Sequence, residues 1–381
     1  MSGYYGLFFL GIGSFAPFSA VWFNSLNISS TMSGAIFAAP SIATVLFTVF
    51  IGWWADRLQD WRSAIIICNW IVLIVVCWIL FGRGPWDLLF IWAVSGLFTR
   101  ASGPIMDAAA LYSTQQTDSD YGRIRSFGSI GFIVGVLLAG WVFEQFGISW
   151  FVTVLLLSAV VRVLAAHMLP VFRTDNLLPK KSVTSVSGMK VLWYTGIWLV
   201  LAGSALINAS HGFNNAFSVM HWTNTGISTG IAAALWSVSV IAEVVLMWSY
   251  KDVAKKFSAR KCLLAASAVC VLRWLITGTD PGLGQLLLLQ ALHSITFGLT
   301  FLATVNFIAK RIHEDHAAQA QSVYAMLTTL FMALAVWLSG WLYEQFAGYS
   351  YWAMSIVALL GGVCVAWSFR SDLDDQVLFD E

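Results

Sequence analysis

Apolar runs of about twenty residues, the length that crosses a bilayer as a helix, alternate along this chain with short breaks of charged, Gly and Pro residues. The runs fall near 4–26, 32–54, 63–82, 87–113, 124–145, 149–169, 191–222, 227–250, 260–278, 284–309, 319–343 and 349–369. They predict twelve membrane-spanning helices, of which the long fourth, seventh and tenth must tilt or protrude. The first run starts almost at Met1 without a basic leader or a cleavage site, so it is expected to remain as a span.

The breaks are asymmetric. Arg57 and Arg62, Arg123 and Arg125, Arg173 with Lys180, Lys181 and Lys190, Lys251 to Lys261, Lys310 with Arg311, and finally Arg370 all follow even-numbered runs. Only Arg83 lies on the other side, among short turns carrying Gly84-Pro85 and Pro281-Gly282. Basic loops are retained in the cytoplasm, so both termini are expected there, in a bacterial-type inner (plasma) membrane.

Composition agrees with the pattern. Hydrophobic residues make up 59% and charged residues 10% of the 381, and the mean hydropathy is +0.78, far from a soluble domain with about a quarter charged residues. A net charge of +1 gives no reason to expect a nucleic-acid partner. The five cysteines, Cys68, Cys77, Cys262, Cys270 and Cys364, lie inside apolar runs without ligand spacing, so neither a disulfide framework nor a metal site is expected.

One phrase occurs twice. "GWVFEQFG" at 140–147 returns as "GWLYEQFAG" at 340–348, each closing the fifth run of a six-run half. Two related bundles are implied, at 1–170 and 191–369, joined by a Pro-, Ser- and Lys-containing linker at 171–190 and followed by a tail at 370–381. Parallel six-helix repeats are a transporter architecture. Glu144 and Glu344 themselves read as interfacial helix-end residues beside Trp anchors.

Ionisable and polar residues inside the runs carry the candidate chemistry, because each costs about 2.5 to 3.5 kcal/mol at a helix centre even on the lenient insertion scale. Arg100 and Asp107 share one face of the fourth run, roughly 10 Å apart along the axis. They either bracket a ligand or pair with neighbouring helices. In the seventh run Ser204, Asn208, His211, Asn215 and Ser218 recur at alternating spacings of four and three, a polar stripe expected to line a cavity, with Asn214 beside it. The tenth run repeats the idea with Gln290, His293, Thr296, Thr300 and Thr304, and the eighth places Trp236, Ser239 and Glu243 on one face. Phe15, Phe18, Trp22 and Phe132 can form a flat aromatic wall for a ring-bearing substrate. Arg162 and His167 lie near the end of the sixth run and are expected to snorkel; His221 and Trp222 are expected at the outer interface. Arg273 either stabilises a carboxylate or snorkels outward.

Between the second and third runs stands "GWWADR" at 52–57. Gly52 allows another helix to approach closely, while Asp56 can cap the positive N-terminus of a neighbouring helix and pair with a loop Arg, Arg57 or Arg62. This pattern resembles the loop motif of the major facilitator superfamily, from which Gln59, Asp60 and Trp61 depart. "GPIMDAA" at 103–109, "DYGRIRSFGSIGF" at 120–132, "AEVVLMWS" at 242–249, Arg273-Trp274, "LHS" at 292–294 and the "YEQF" ending resemble the phenylpropionate permease group, related to lactose permease. The resemblance covers nearly the whole chain. It implies an all-α membrane protein of twelve transmembrane helices in two pseudo-symmetric six-helix bundles, with proton-coupled uptake through a cavity open alternately to each side.

It also implies roles for residues. Asp107 and Arg125 resemble the carboxylate and arginine that grip sugar in lactose permease. Where that family has two ion pairs among spans seven, ten and eleven, this chain has His211 and Thr328, and Asn214 and Gln290; the essential carboxylate one turn beyond the span-ten histidine is replaced by Thr296. Proton coupling must therefore use another group. Glu243 and Asp107 are candidates because a carboxylate in an apolar cavity holds a proton more readily, with Arg273 alongside, and His211 and His293 can titrate near neutrality.

Three classes of function compete. An enzyme would need a nucleophile constellation, a metal motif or a phosphate loop, and neither H-E-x-x-H nor G-x-x-x-x-G-K-[ST] occurs. No ATP-binding segment exists, and no cofactor is expected. A proton symporter of a small organic anion, an aromatic carboxylate above all, accounts for the embedded cations Arg100, Arg125 and Arg273. In that reading Arg100, Asp107, Arg125, Phe132, His211, Asn214, Asn215 and His293 bind substrate; Glu243, Asp107 and Arg273 couple the proton; Gly52, Asp56, Arg57 and Arg62 form the cytoplasmic gate. The alternatives are a sugar or nucleoside symporter, since Asn214 and Asn215 can read hydroxyls, and a ligand sensor that does not transport. The expected partners are the substrate, protons and the lipid bilayer, with the chain a monomer.

Overall fold

The computed structural model describes residues 1–58, 60–117, 120–172 and 195–370, with side chains at most of them. Twelve long helices are found among the described residues: α1 (Ser2–Ser25), α2 (Ser30–Arg57), α3 (Trp61–Leu80), α4 (Pro85–Thr117), α5 (Tyr121–Phe146), α6 (Ile148–His167), α7 (Gly196–Asn224), α8 (Thr229–Lys256), α9 (Ala259–Thr277), α10 (Leu283–Arg311), α11 (Glu314–Phe346) and α12 (Ser350–Trp367). In a bilayer every backbone N–H and C=O must be satisfied within the chain, and the helix does this segment by segment. The spans match the apolar runs to within a few residues. The larger differences are at α8 and α11, whose polar ends through Lys256 and from Glu314 continue as helix beyond the apolar stretch.

Polar residues set the helix ends. Ser29, Asp60, Asp120 and Ser258 each accept a hydrogen bond from a backbone N–H of the turn they open. The repeated phrase marks a matched stop: α5 ends at Phe146 before Gly147 at φ 82°, and α11 ends at Phe346 before Ala347 at φ 46°.

Two compact units form. One contains α1 to α6 together with Ala216–Ser237, the end of α7 and the start of α8; the other contains the rest of α7 and α8 with α9 to α12. In the first, α1 lies tightly along α5, because a Cβ on Gly131 would overlap the Gly6 carbonyl. The same unit takes in the start of α8 because Gly140 leaves room for Ala233, and Thr229 Oγ1 donates to the Gly140 carbonyl at 3.2 Å. Sequence alone divides the halves at the linker, almost all of which, like the tail after Arg370, lies outside the described residues. In the second unit Gly203 of α7 and Gly361 of α12 face one another: a Cβ on either would come within 2.7 Å of the other's carbonyl oxygen.

Candidate functional site

Two helices of the second unit depart from regular geometry at one place. α7 breaks at Ser210–His211, between Thr195–Ala209 and Gly212–Asn224. α10 passes through a π-helical turn at Ser294–Leu299. Such irregular turns are tolerated at membrane depth where neighbouring groups satisfy the freed backbone, and they recur at functional sites. Here they meet: His211 Nε2 lies 3.0 Å from Thr296 Oγ1. His211 Nδ1 faces the Asn208 carbonyl at 3.1 Å, which can only accept, so Nδ1 carries the proton and Nε2 accepts from Thr296.

Arg273 of α9 joins the same cluster. It does not snorkel; its side chain is 1% exposed. Nη1 donates to Thr296 Oγ1 at 2.9 Å and to His293 Nδ1 at 3.4 Å, and Nη2 donates to Gln290 Oε1 at 3.0 Å, which also accepts from Ser239 Oγ at 2.6 Å. Nε has no partner. Because a guanidinium can only donate, His293 Nδ1 must accept, which leaves the imidazole proton on Nε2. That atom faces Glu243 Oε2 at 3.8 Å. His211, Thr296, Arg273, His293 and Glu243 thus form one polar chain, running from a fully buried histidine to a carboxylate whose side chain is 21% exposed.

Most positions of the polar stripe of α7 find partners within the protein, while Asn208 Oδ1 is buried without one. Ser204 donates to the Val200 carbonyl, Asn208 to Tyr324 Oη at 2.7 Å, and Ser218 accepts from Trp236 Nε1 at 3.1 Å. Asn214 accepts from Tyr351 Oη at 3.3 Å; Asn215 is half-buried and reaches Met332 Sδ at 3.9 Å. Ser204, Asn208, His211 and Ser218 are all buried, so the stripe faces protein and not lipid.

In the first unit Asp107 is held by two phenols. Tyr5 Oη donates to its Oδ1 at 2.5 Å and Tyr121 Oη to the same oxygen at 2.9 Å. Asp107 and Arg125 form no ion pair: Arg125 is exposed, its guanidinium carbon lies 5.4 Å from the Phe9 ring centroid, and no described carboxylate lies within 4.0 Å of it. Arg100, on the same helix as Asp107, is likewise exposed. Phe132 is half-buried and packs on Trp236 at 6.3 Å between ring centroids.

Several expectations are corrected here. Arg162 is not a snorkelling residue; it is 3% exposed, donates to Asn69 Oδ1 at 3.2 Å and Thr99 Oγ1 at 3.3 Å, and lies over the Phe8 ring. Phe18 and Trp22 are bundle packing and not a substrate wall: Trp22 stacks on Phe151 at 4.7 Å and 12°. His221 and Trp222 are buried, not interfacial. No helix lies close against Gly52 in this structure, since a Cβ there would meet nothing within 4 Å. Arg57 lies 3.4 Å from the Trp53 ring centroid, and Arg62 donates to the His167 carbonyl at 2.8 Å. The Asp56 side chain lies outside the described residues. Asp60, a departure from the loop motif, does the capping, accepting from the N–H groups of Arg62 at 3.0 Å and Phe172 at 3.1 Å.

Sequence reasoning missed Tyr5, Tyr121, Asn69 and the partner tyrosines Tyr324 and Tyr351. Only Tyr121 carried a signal, as the opening residue of "YGRIR".

Twelve spans, irregular α7 and α10 and charged residues embedded between helices define a multi-pass membrane transport protein. The chain belongs to the MFS_1 like family, which it matches over residues 1–354. It is 28% identical to the "Probable 3-phenylpropionic acid transporter" of Escherichia coli (strain K12), over 94% of each chain, and 20% identical to the lactose permease of Citrobacter freundii, over 88% of this chain and 85% of that one. Among solved structures, the nucleoside transporter NupG superposes with a TM-score of 0.84 at 17% identity over 97% of this chain and 98% of that one. A D-xylose-proton symporter superposes with a TM-score of 0.71 at 14% identity over 97% of this chain and 96% of that one. The resemblance to the phenylpropionate permease group and to lactose permease is borne out, as are the major facilitator fold and secondary transport of a small molecule in place of enzymatic chemistry.

Proposed function

We propose that the protein is a proton symporter that imports a small organic anion, an aromatic carboxylate such as a 3-phenylpropionate-like acid, across a bacterial plasma membrane. One observation carries the anion: the arginines within the spans, Arg100, Arg125, Arg162 and Arg273, have no carboxylate within 4.0 Å among the described residues. A cation kept in a membrane without a protein counter-ion is costly, and an anionic cargo relieves that cost when it binds.

Coupling is assigned to the Glu243–His293–Arg273 chain. Arg273 fixes the His293 tautomer and directs Nε2–H at Glu243, so a proton taken up by Glu243 sits beside a group that responds to it. Asp107, already accepting two hydroxyl hydrogen bonds, is the weaker candidate for the proton. In this reading both termini are cytoplasmic and the monomer is the working unit.

The test is uptake into proteoliposomes with an acid exterior, comparing 3-phenylpropionate with a neutral glycoside and a nucleoside. Saturable accumulation of the acid alone is expected. Accumulation of the glycoside or nucleoside instead would replace the anion reading, and binding without uptake of any of the three would make the protein a sensor.

A further inference from the structure

We infer that Tyr5 and Tyr121 determine substrate charge specificity by holding Asp107 away from Arg125, which leaves Arg125 free to take the carboxylate of the transported anion. The inference rests on the anion reading above and names the residues that enforce it.

Three observations place the device. Tyr5 Oη and Tyr121 Oη both donate to Oδ1 of Asp107, at 2.5 and 2.9 Å. A carboxylate with two hydroxyl donors has charge-assisted hydrogen bonds of the strong kind and does not need a cation to be satisfied. Next, Tyr121 and Arg125 stand one turn apart on α5, positions that are neighbours on a helix face. Tyr121 thus brings Asp107 to a point one helical turn from Arg125, yet no ion pair within 4.0 Å joins the two. Last, Arg125 is exposed and lies 5.4 Å from the Phe9 ring, which itself stacks on Tyr5 at 6.4 Å and 20°. An arginine with free donors beside an aromatic face matches both ends of an aryl carboxylate: the fork takes the carboxylate, and the ring takes the aryl group.

If Asp107 were released, its carboxylate would compete with the substrate for Arg125. The pair would then present a donor and an acceptor together, a combination suited to hydroxyls and not to an anion. Tyr5 and Tyr121 are thus positioning residues that act on substrate through Arg125.

The experiment compares uptake kinetics of 3-phenylpropionate by the purified full-length protein in proteoliposomes for the wild type, Tyr5→Phe/Tyr121→Phe, the same double variant with Asp107→Asn added, and Asp107→Asn alone. The double variant is expected to raise KM about tenfold, the scale of one hydrogen bond to a charged group, with little change in Vmax. Adding Asp107→Asn should restore KM toward wild type, because a neutral amide does not compete for a guanidinium. Asp107→Asn alone gives the KM against which the rescued variant is compared. Tyr5 is fully buried, so Tyr121→Phe alone, at a half-buried position, gives the same readout in smaller degree if the double variant aggregates. An unchanged KM in the tyrosine variants, or a double variant that Asp107→Asn does not rescue, overturns the inference, since loss of packing is indifferent to the charge of Asp107. Wild-type protein that takes up no aromatic acid overturns the anion reading itself, and this inference with it.

Discussion

Replacing Arg125 with Gln is expected to lower uptake of 3-phenylpropionate by about two orders of magnitude while the protein still inserts and purifies as a monodisperse species. The size follows from losing a two-pronged, charge-assisted contact, each prong of which contributes about 1.5 to 3 kcal/mol. Survival of the fold follows from the surroundings. Arg125 is exposed, has no carboxylate within 4.0 Å among the described residues, and lies beside the Phe9 ring. Radiolabelled uptake, normalised to the amount of protein reconstituted, reads the result. Wild-type uptake by the variant would remove Arg125 from the substrate path.

Glu243→Gln is expected to abolish accumulation but keep exchange. One pH unit corresponds to about 1.4 kcal/mol, so a symporter moving one proton with each monovalent anion accumulates its cargo roughly tenfold. A glutamine at 243 keeps the shape and a hydrogen-bonding group opposite His293 Nε2, now 3.8 Å from the carboxylate, but cannot exchange a proton at membrane depth. Substrate should then equilibrate down its own gradient, and preloaded vesicles should exchange label at a rate near that of the wild type. Acid-driven accumulation by Glu243→Gln would send the proton elsewhere, to Asp107 or the histidines.

Much of the fold is legible because the bilayer imposes a length on every apolar run. Runs read at 63–82 and 149–169 became Trp61–Leu80 and Ile148–His167. The site was legible as residue types, not as contacts. His211, His293, Arg273 and Glu243 stand out as charged or titratable groups in apolar helices, and they do come together. Their meeting depends on the α7 break and the α10 π-turn, which leave the periodicity of the surrounding sequence intact. Arg162 shows the limit from another side. Its nearness to the helix end suggests snorkelling, but helix position fixes depth and not the face presented, and Asn69 and Thr99 await it on two other helices. Tyr5 lies 102 residues before Asp107 in the chain, so no local pattern joins them.

The proposal stands on charge: among the described residues no carboxylate lies within 4.0 Å of the arginines in the spans, and the proposed cargo would supply one. Equilibrium binding of 3-phenylpropionate and of its neutral amide, 3-phenylpropionamide, to the purified protein measures this directly, since the two differ in little besides the charge. The acid is predicted to bind about a hundredfold more tightly than the amide, a margin that Arg125→Gln removes. Equal affinities for acid and amide in the wild type would contradict the account.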